Sequence, residues 1–340
     1  MTTTNKSSSL CLDTTASVVS IDTVKCLESW KLPGNSVTFN KASDGKTTSL
    51  TVDCGEEVSP ATTDSDTSSR VAIPSLTICS WLVLAKVASV ESSATTLYGM
   101  FQRATSYNNL GSSGICNWNT SAVTSTMVTF DNAYAFNQPL SGWNMSNVTI
   151  SQAMFRSATS FNQNIGNWNT SKITDTQQMF YGASPFDNLG SDSINSWNMS
   201  ANTAMSYMFA QTSFNRNIGS WDLRKCTTTS LMFYLATPFN NNNNPSISGW
   251  TTSAVTAMGQ MFYGTQFNQP IGSWDTRSIT PSNVSGISGG FAKMFQYTPF
   301  NQDIGSWNVS GCAQFRGMFQ GASSFNNGGS PSRSEEHTSE

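Results

Sequence analysis

Four stretches of the chain align without a gap: FNQPLSGWNMSNVTISQAMF, FNQNIGNWNTSKITDTQQMF, FNRNIGSWDLRKCTTTSLMF and FNQDIGSWNVSGCAQFRGMF. Their tryptophans are Trp143, Trp168, Trp221 and Trp307. Trp118, Trp197, Trp250 and Trp274 complete eight repeats, spaced by 25, 25, 29, 24, 29, 24 and 33 residues. Self-similarity at such a period constrains the fold more than any other feature. A unit of this length cannot bury its own apolar face, so neighbouring units must stack and share one core.

Columns counted from each Trp say which residues face that core. The third residue before Trp is always aliphatic: Ile115, Leu140, Ile165, Ile194, Ile218, Ile247, Ile271 and Ile304. Five residues after Trp come Val123, Val148, Ile173, Asn202, Cys226, Val255, Ile279 and Cys312, so two thiols sit where β-branched residues otherwise sit and read as small buried apolar groups. A Phe follows twelve residues after Trp at Phe130, Phe155, Phe180, Phe209, Phe233, Phe262 and Phe319; an insertion at 281–289 delays it to Phe295. Ile165, Trp143, Trp168, Trp197, Trp221, Phe155, Phe180 and Phe209 are therefore expected core. The predicted fold is a leucine-rich-repeat-like solenoid of about nine coils of 24–33 residues. Each coil is expected to hold a short strand around Ile-x-x-Trp, a turn at WNTS, an extended Val-Thr step, a short helical turn around MFxxA and a Phe-Asn turn.

Length changes fall in YNNLGSSGICNW, FDNLGSDSINSW and FNNNNNPSISGW, where Gly, Asn, Ser and Pro supply turn chemistry on the outside of the stack. The organisation predicted is an unassigned region at 1–58, a Ser/Thr-rich linker and degenerate cap repeat at 59–92, the solenoid at 93–329 and a tail at 330–340. Residues 333–340, RSEEHTSE, read as the in-frame translation of a sequencing-library adapter, which leaves 16 basic and 17 acidic residues and no histidine in the rest. On that reading the natural C-terminus lies beyond residue 332.

The FNQxIGxWxxSxVTxMxxMF pattern resembles the BspA-like leucine-rich-repeat surface proteins, in the version with mycoplasma-lipoprotein-type repeats. The resemblance covers about two-thirds of the chain. It implies a right-handed leucine-rich-type solenoid at a cell surface, acting in adhesion or in recognition of a protein or glycan partner. No lipoprotein or secretion signal is visible in the Ser/Thr-rich opening residues.

Composition narrows the function classes. Charged residues are 11% of the chain, against about 25% in an average protein, so amides and hydroxyls carry the surface polarity. A net charge of −3 without a Lys/Arg cluster argues against a nucleic-acid partner. The most apolar window, 78–90, contains Lys86 and is too short to span a bilayer. Seven cysteines (Cys11, Cys26, Cys54, Cys79, Cys116, Cys226 and Cys312) form no CxxC pair and no metal-ligand spacing. No metal, cofactor or catalytic residue is expected. Without histidine, and with Asp175, Asp187, Asp222, Asp275 and Asp303 scattered along the repeats, acid-base catalysis has no evident constellation. An enzyme would need Asp187 and Asp192 to converge with another carboxylate in a cleft.

Several polar columns are candidate surfaces. Thr124, Thr149, Thr174, Thr203, Thr227, Thr256 and Thr280 form one, the basis of an alternative reading as an ice- or carbohydrate-binding face; inter-coil hydroxyl ladders are the plainer reading. Sequons at Asn119, Asn144, Asn169, Asn198 and Asn308 directly follow Trp and read as turn chemistry before glycosylation. The Phe-Asn column (Asn137, Asn162, Asp187, Asn215, Asn240, Asn268, Asn301 and Asn326) reads as an amide ladder and not as a metal site, since neutral amides bind hard cations poorly. The Trp and Phe columns read as core and not as a sugar-stacking face.

Overall fold

The computed structural model describes residues 8–11, 36–41, 47–53, 94–109, 113–280 and 289–329. The linker and apolar window within 59–92, nearly all of the insertion at 281–289, the tail at 330–340, and Cys26, Cys54 and Cys79 lie outside the described residues. In the N-terminal region, strands β1 (Ser8–Cys11), β2 (Ser36–Lys41) and β3 (Thr47–Asp53) form an antiparallel sheet in the order β1-β3-β2. Leu50 of β3 stands opposite both Leu10 and Phe39, and the β2–β3 register shifts between Asn40 and Lys41.

From Leu97 onward each repeat is hydrogen-bonded to the next in register. The residue after each Thr of the Val-Thr step makes a single parallel bridge to its equivalent: Thr96 to Ser125, Ser125 to Ile150, Ile150 to Asp175, Asp175 to Ala204, Ala204 to Thr228 and Thr228 to Ala257. β-branched residues at this step favour the extended backbone that such pairing needs.

The local elements differ from the expectation at two places. The Ile-x-x-Trp segment is a turn and not a strand: the Trp168 N–H donates to the Ile165 carbonyl at 3.2 Å, and the same bond recurs in the other repeats. Where four residues are inserted ahead of it the turn tightens into 3-10 helix, at Ser113–Asn117, Asp192–Ser196 and Pro245–Gly249. The MFxxA segment is not helical either. Ala153, Phe155 and Ser157 donate to the carbonyls of Gln177, Met179 and Tyr181 in the following repeat, while Met154, Arg156 and Ala158 close turns onto residues three back. An α-helix would direct every one of these N–H groups four residues back along its own segment and leave the next coil unpaired. The alternating pattern requires left-handed backbone two residues before and two after the Phe, as at Ala153 (φ 51°) and Ser157 (φ 56°). That conformation is costly for residues with a Cβ, and the bonds on either side fix it in every coil.

The core consists of stacked columns. Phe155 and Phe161 lie ring on ring at 3.9 Å, and Phe155 meets Phe130 and Phe180 at 5.5 Å; equivalent pairs continue through Phe319 and Phe325. Ile165, Trp143, Trp168, Trp197, Trp221, Phe155, Phe180 and Phe209 are all buried. From Trp143 onward each indole also satisfies a backbone group of the preceding coil: the Trp168 Nε1–H donates to the Leu140 carbonyl at 3.0 Å and Trp197 to Ile165 at 3.1 Å. Asn202, in the aliphatic column, is fully buried and satisfied, since its amide donates to Thr176 Oγ1 and its Oδ1 accepts from the Ala204 N–H.

At the Phe-Asn corner the amides form a continuous ladder. Asn137 Oδ1 accepts the Asn162 N–H at 3.0 Å, Asn162 the Asp187 N–H at 2.9 Å, Asp187 the Asn215 N–H at 2.9 Å and Asn215 the Asn240 N–H at 2.8 Å. Asn215 Oδ1 also accepts the N–H of Asn242 at 3.0 Å. Asn215→Ala leaves both donors without this acceptor and is expected to cost about 2 kcal/mol, whereas Asn215→Asp keeps the oxygen and costs less. Urea unfolding of both variants checks the order.

Candidate binding surface

All seven threonines of the column are exposed. For the six from Thr124 to Thr256 the hydroxyl donates to the carbonyl of the preceding Thr, at 3.0 to 3.2 Å, and that same carbonyl accepts the backbone N–H of the donor's residue. The hydroxyl protons point along the stack and the outward side keeps only acceptor capacity. The Asn that follows five of the tryptophans accepts the N–H two residues on, as Asn169 does from Ser171 at 3.1 Å, an Asx turn shared by Asn119, Asn144, Asn198 and Asn308.

The acidic residues are dispersed and partnered. Asp187, the one carboxylate of the amide ladder, pairs with Arg216 at 2.8 Å, and Arg216 stands where other repeats have Gln donating to Asn, as Gln269 does to Asn240. Asp131 is buried and held by Arg156 and the Gln102 amide. Asp192 and Asp222 line one open depression of about 640 Å³ beside Trp197 and Met199. Asp192 there accepts from the Asn217 N–H and the Asn242 amide, and Asp222 is clamped by Arg224. The Arg224 hydrogen bonds hold the Asp222 carboxyl below its ordinary value. Asp187, turned to Arg216, does not line that depression. Among the described residues no group of three His, Cys, Asp or Glu is placed to hold a metal ion, and no helix is long and apolar enough to cross a membrane. Cys226 and Cys312 are buried, and burial pushes the Cys226 thiol up to about 12.

One further column was not singled out from the sequence. Tyr181, Tyr207, Tyr234, Tyr263 and Tyr297 belong to five successive coils, on the strip just outside the buried Phe column. Tyr181 and Tyr207 meet edge to face at 5.7 Å, Tyr234 and Tyr263 at 4.9 Å, and Tyr263 and Tyr297 edge to face at 5.6 Å. The first four are partly exposed and Tyr297 is 55% exposed. Among the described residues, none of the five hydroxyls bonds to another group of the protein, whereas Tyr107 and Tyr134 each donate to an Asn. Burial first, then the neighbouring phenols, pushes the Tyr207 and Tyr263 hydroxyls up. The recurrent MFY of three repeats was the available signal, masked by its adjacency to core residues.

The family model described as "Mycoplasma protein of unknown function, DUF285" matches residues 88–191, 166–245 and 241–337, together most of the chain and all of the stacked repeats. The chain belongs to this family. No curated protein and no solved structure matches it. The three matches make the DUF285 region a tandem array, in agreement with the Trp periodicity.

Two outcomes follow for this DUF285 array. Asp187→Asn and Arg216→Gln singly each cost about 1 kcal/mol, while the double variant, which recreates the Asn-Gln pair of other coils, lies within about 0.5 kcal/mol of the parent; a double-mutant cycle in urea measures this. The Arg277 hydrogen bonds hold the Asp275 carboxyl down at about 2. Its contribution to stability is therefore present above the ordinary carboxylate range and lost as pH falls toward 2. Carbon-detected titration is expected to show that midpoint rising in Arg277→Gln.

Proposed function

We propose that this chain is a non-enzymatic, leucine-rich-type repeat solenoid that binds a protein or glycan partner at a cell surface or outside the cell. The observation that carries the reading is the row of five tyrosines with uncommitted hydroxyls, a surface with aromatic area and hydrogen-bonding capacity left over after the fold is satisfied. The resemblance of the FNQxIGxW repeats to BspA-like surface proteins supports the location and the adhesive role. The partnering of Asp131, Asp187, Asp192 and Asp222 with Arg, amides and backbone argues against hydrolytic chemistry.

A second reading places ice or carbohydrate recognition on the threonine column, favoured by the exposure of all seven residues. The donation of their hydroxyls along the stack, to the carbonyl of the preceding coil, counts against it. Beads coated with the full chain are expected to adhere saturably to a cultured cell monolayer, and a Tyr207→Ala, Tyr234→Ala, Tyr263→Ala variant to adhere weakly. The Thr174→Val, Thr203→Val variant is expected to match the parent both there and in ice-recrystallisation assays. Adhesion no greater than that of albumin-coated beads contradicts the surface-binding reading, and selective loss in the threonine variant moves the site to that column.

A further inference from the structure

We infer that the tyrosine column is a subsite ladder for a neutral, extended glycan chain, one sugar ring per coil. The inference rests on the surface-binding reading above and names its ligand class. Three observations carry it. First, the five rings come one per coil, and the centroid separations at Tyr181–Tyr207, Tyr234–Tyr263 and Tyr263–Tyr297, 4.9 to 5.7 Å, are about the length of one pyranose unit in an extended polysaccharide. Second, the middle of the strip is free of charge: the side chains flanking Tyr207, Tyr234 and Tyr263 include Gln211, Leu231, Leu235 and Gln260, whereas charge stands at the two end rings, where Arg156, paired with Asp131, donates to Gln178 beside Tyr181, and Lys293 belongs to the coil of Tyr297. A sulfated, uronate or phosphate polymer lying along the row finds no cation at its three central rings, and a basic peptide no carboxylate. Third, each uncommitted phenol gives a sugar a ring face or edge for its C–H groups together with a hydroxyl that can donate to and accept from the sugar hydroxyls.

A proline-rich peptide is the competing occupant of an exposed aromatic row. In the polyproline II conformation same-face residues recur every three, about 9 Å. Such a ligand would engage roughly every second ring, and the intervening tyrosines would be idle. One ring in every coil, closely spaced from Tyr181 to Tyr207 and again from Tyr234 through Tyr263 to Tyr297, favours a chain whose repeat matches the coil.

The structure supplies a rigid floor for this ladder. Each ring follows a backbone fixed by inter-coil bonds, such as Gln211 N–H to the Tyr234 carbonyl at 2.8 Å and Leu235 N–H to the Tyr263 carbonyl at 2.8 Å. At the end of the row the Tyr297 ring lies where a side chain at Gly321 would stand, 2.4 Å from its Cβ position. Rings anchored in this way lose little freedom when a ligand seats on them.

The test is calorimetric titration of the full chain with neutral cello-, laminari-, manno- and chito-oligosaccharides of increasing length, with heparin, polygalacturonate and a proline-rich peptide as the other arms. At least one neutral series is expected to bind, its affinity rising with each added unit and levelling once the five rings are covered. Tyr234→Ala is expected to weaken binding about tenfold, equivalent to roughly 1.4 kcal/mol. Tyr234→Phe, which keeps the ring and secures the result against a folding defect, weakens it less, and Thr174→Val, Thr203→Val leaves it unchanged. Binding only of the anionic polymers or of the peptide, or of no probe by a chain whose beads still adhere to cells, overturns the glycan assignment and leaves the surface-binding reading standing. Loss of adhesion in the parent as well removes both.

Discussion

The structure depends on where alternate backbone N–H groups of the Met-Phe segment go. In each coil the Phe N–H and its neighbours two residues either side donate to the following coil, as Ala153, Phe155 and Ser157 do to Gln177, Met179 and Tyr181. This choice sets the coil-to-coil spacing at which Phe130, Phe155 and Phe180 stack and at which each indole reaches the carbonyl behind it. It also forces the left-handed residues beside each Phe. A coil alone would have those N–H groups without acceptors and its aromatic faces open to water, so burial and hydrogen bonding are both properties of the array.

Some of this is legible in the sequence and some is not, for physical reasons. Burial imposes strict spacing, so the Ile165, Trp168, Ile173 and Phe180 columns stand out, and the structure buries each of these residues. Backbone conformation leaves a weaker trace. Left-handed turns usually advertise themselves with Gly or Asn, but here Val128, Ala153, Gln178, Tyr207 and Leu231 occupy them, and a segment such as SQAMFRSA reads as helical. The inter-coil bonds override local preference, and no single repeat encodes them. The tyrosine column is hidden for another reason: Tyr181, Tyr234 and Tyr263 directly follow core Phe and are read with it, although each is partly exposed where the Phe before it is buried.

Low charge and surface chemistry are connected. Four recurrent sets of amides and hydroxyls, those of the Thr column, the Phe-Asn corner, the Asx turns and the Gln residues that back the corner, spend their hydrogen bonds on the backbone or on one another. Where charge enters a ladder it enters in pairs, as with Asp187 and Arg216. The tyrosine strip, neutral at its centre and with its hydroxyls unbonded, is the surface through which we propose that this DUF285 chain meets a partner.

The central claim is that the Met-Phe segments are bonded between coils and not within them. Scalar couplings across hydrogen bonds, measured by NMR on deuterated chain, read this directly. The account predicts couplings from the amide nitrogens of Ala153 and Phe155 to the carbonyl carbons of Gln177 and Met179. Couplings from those nitrogens to Thr149 and Ser151, four residues back in the same coil, would contradict it.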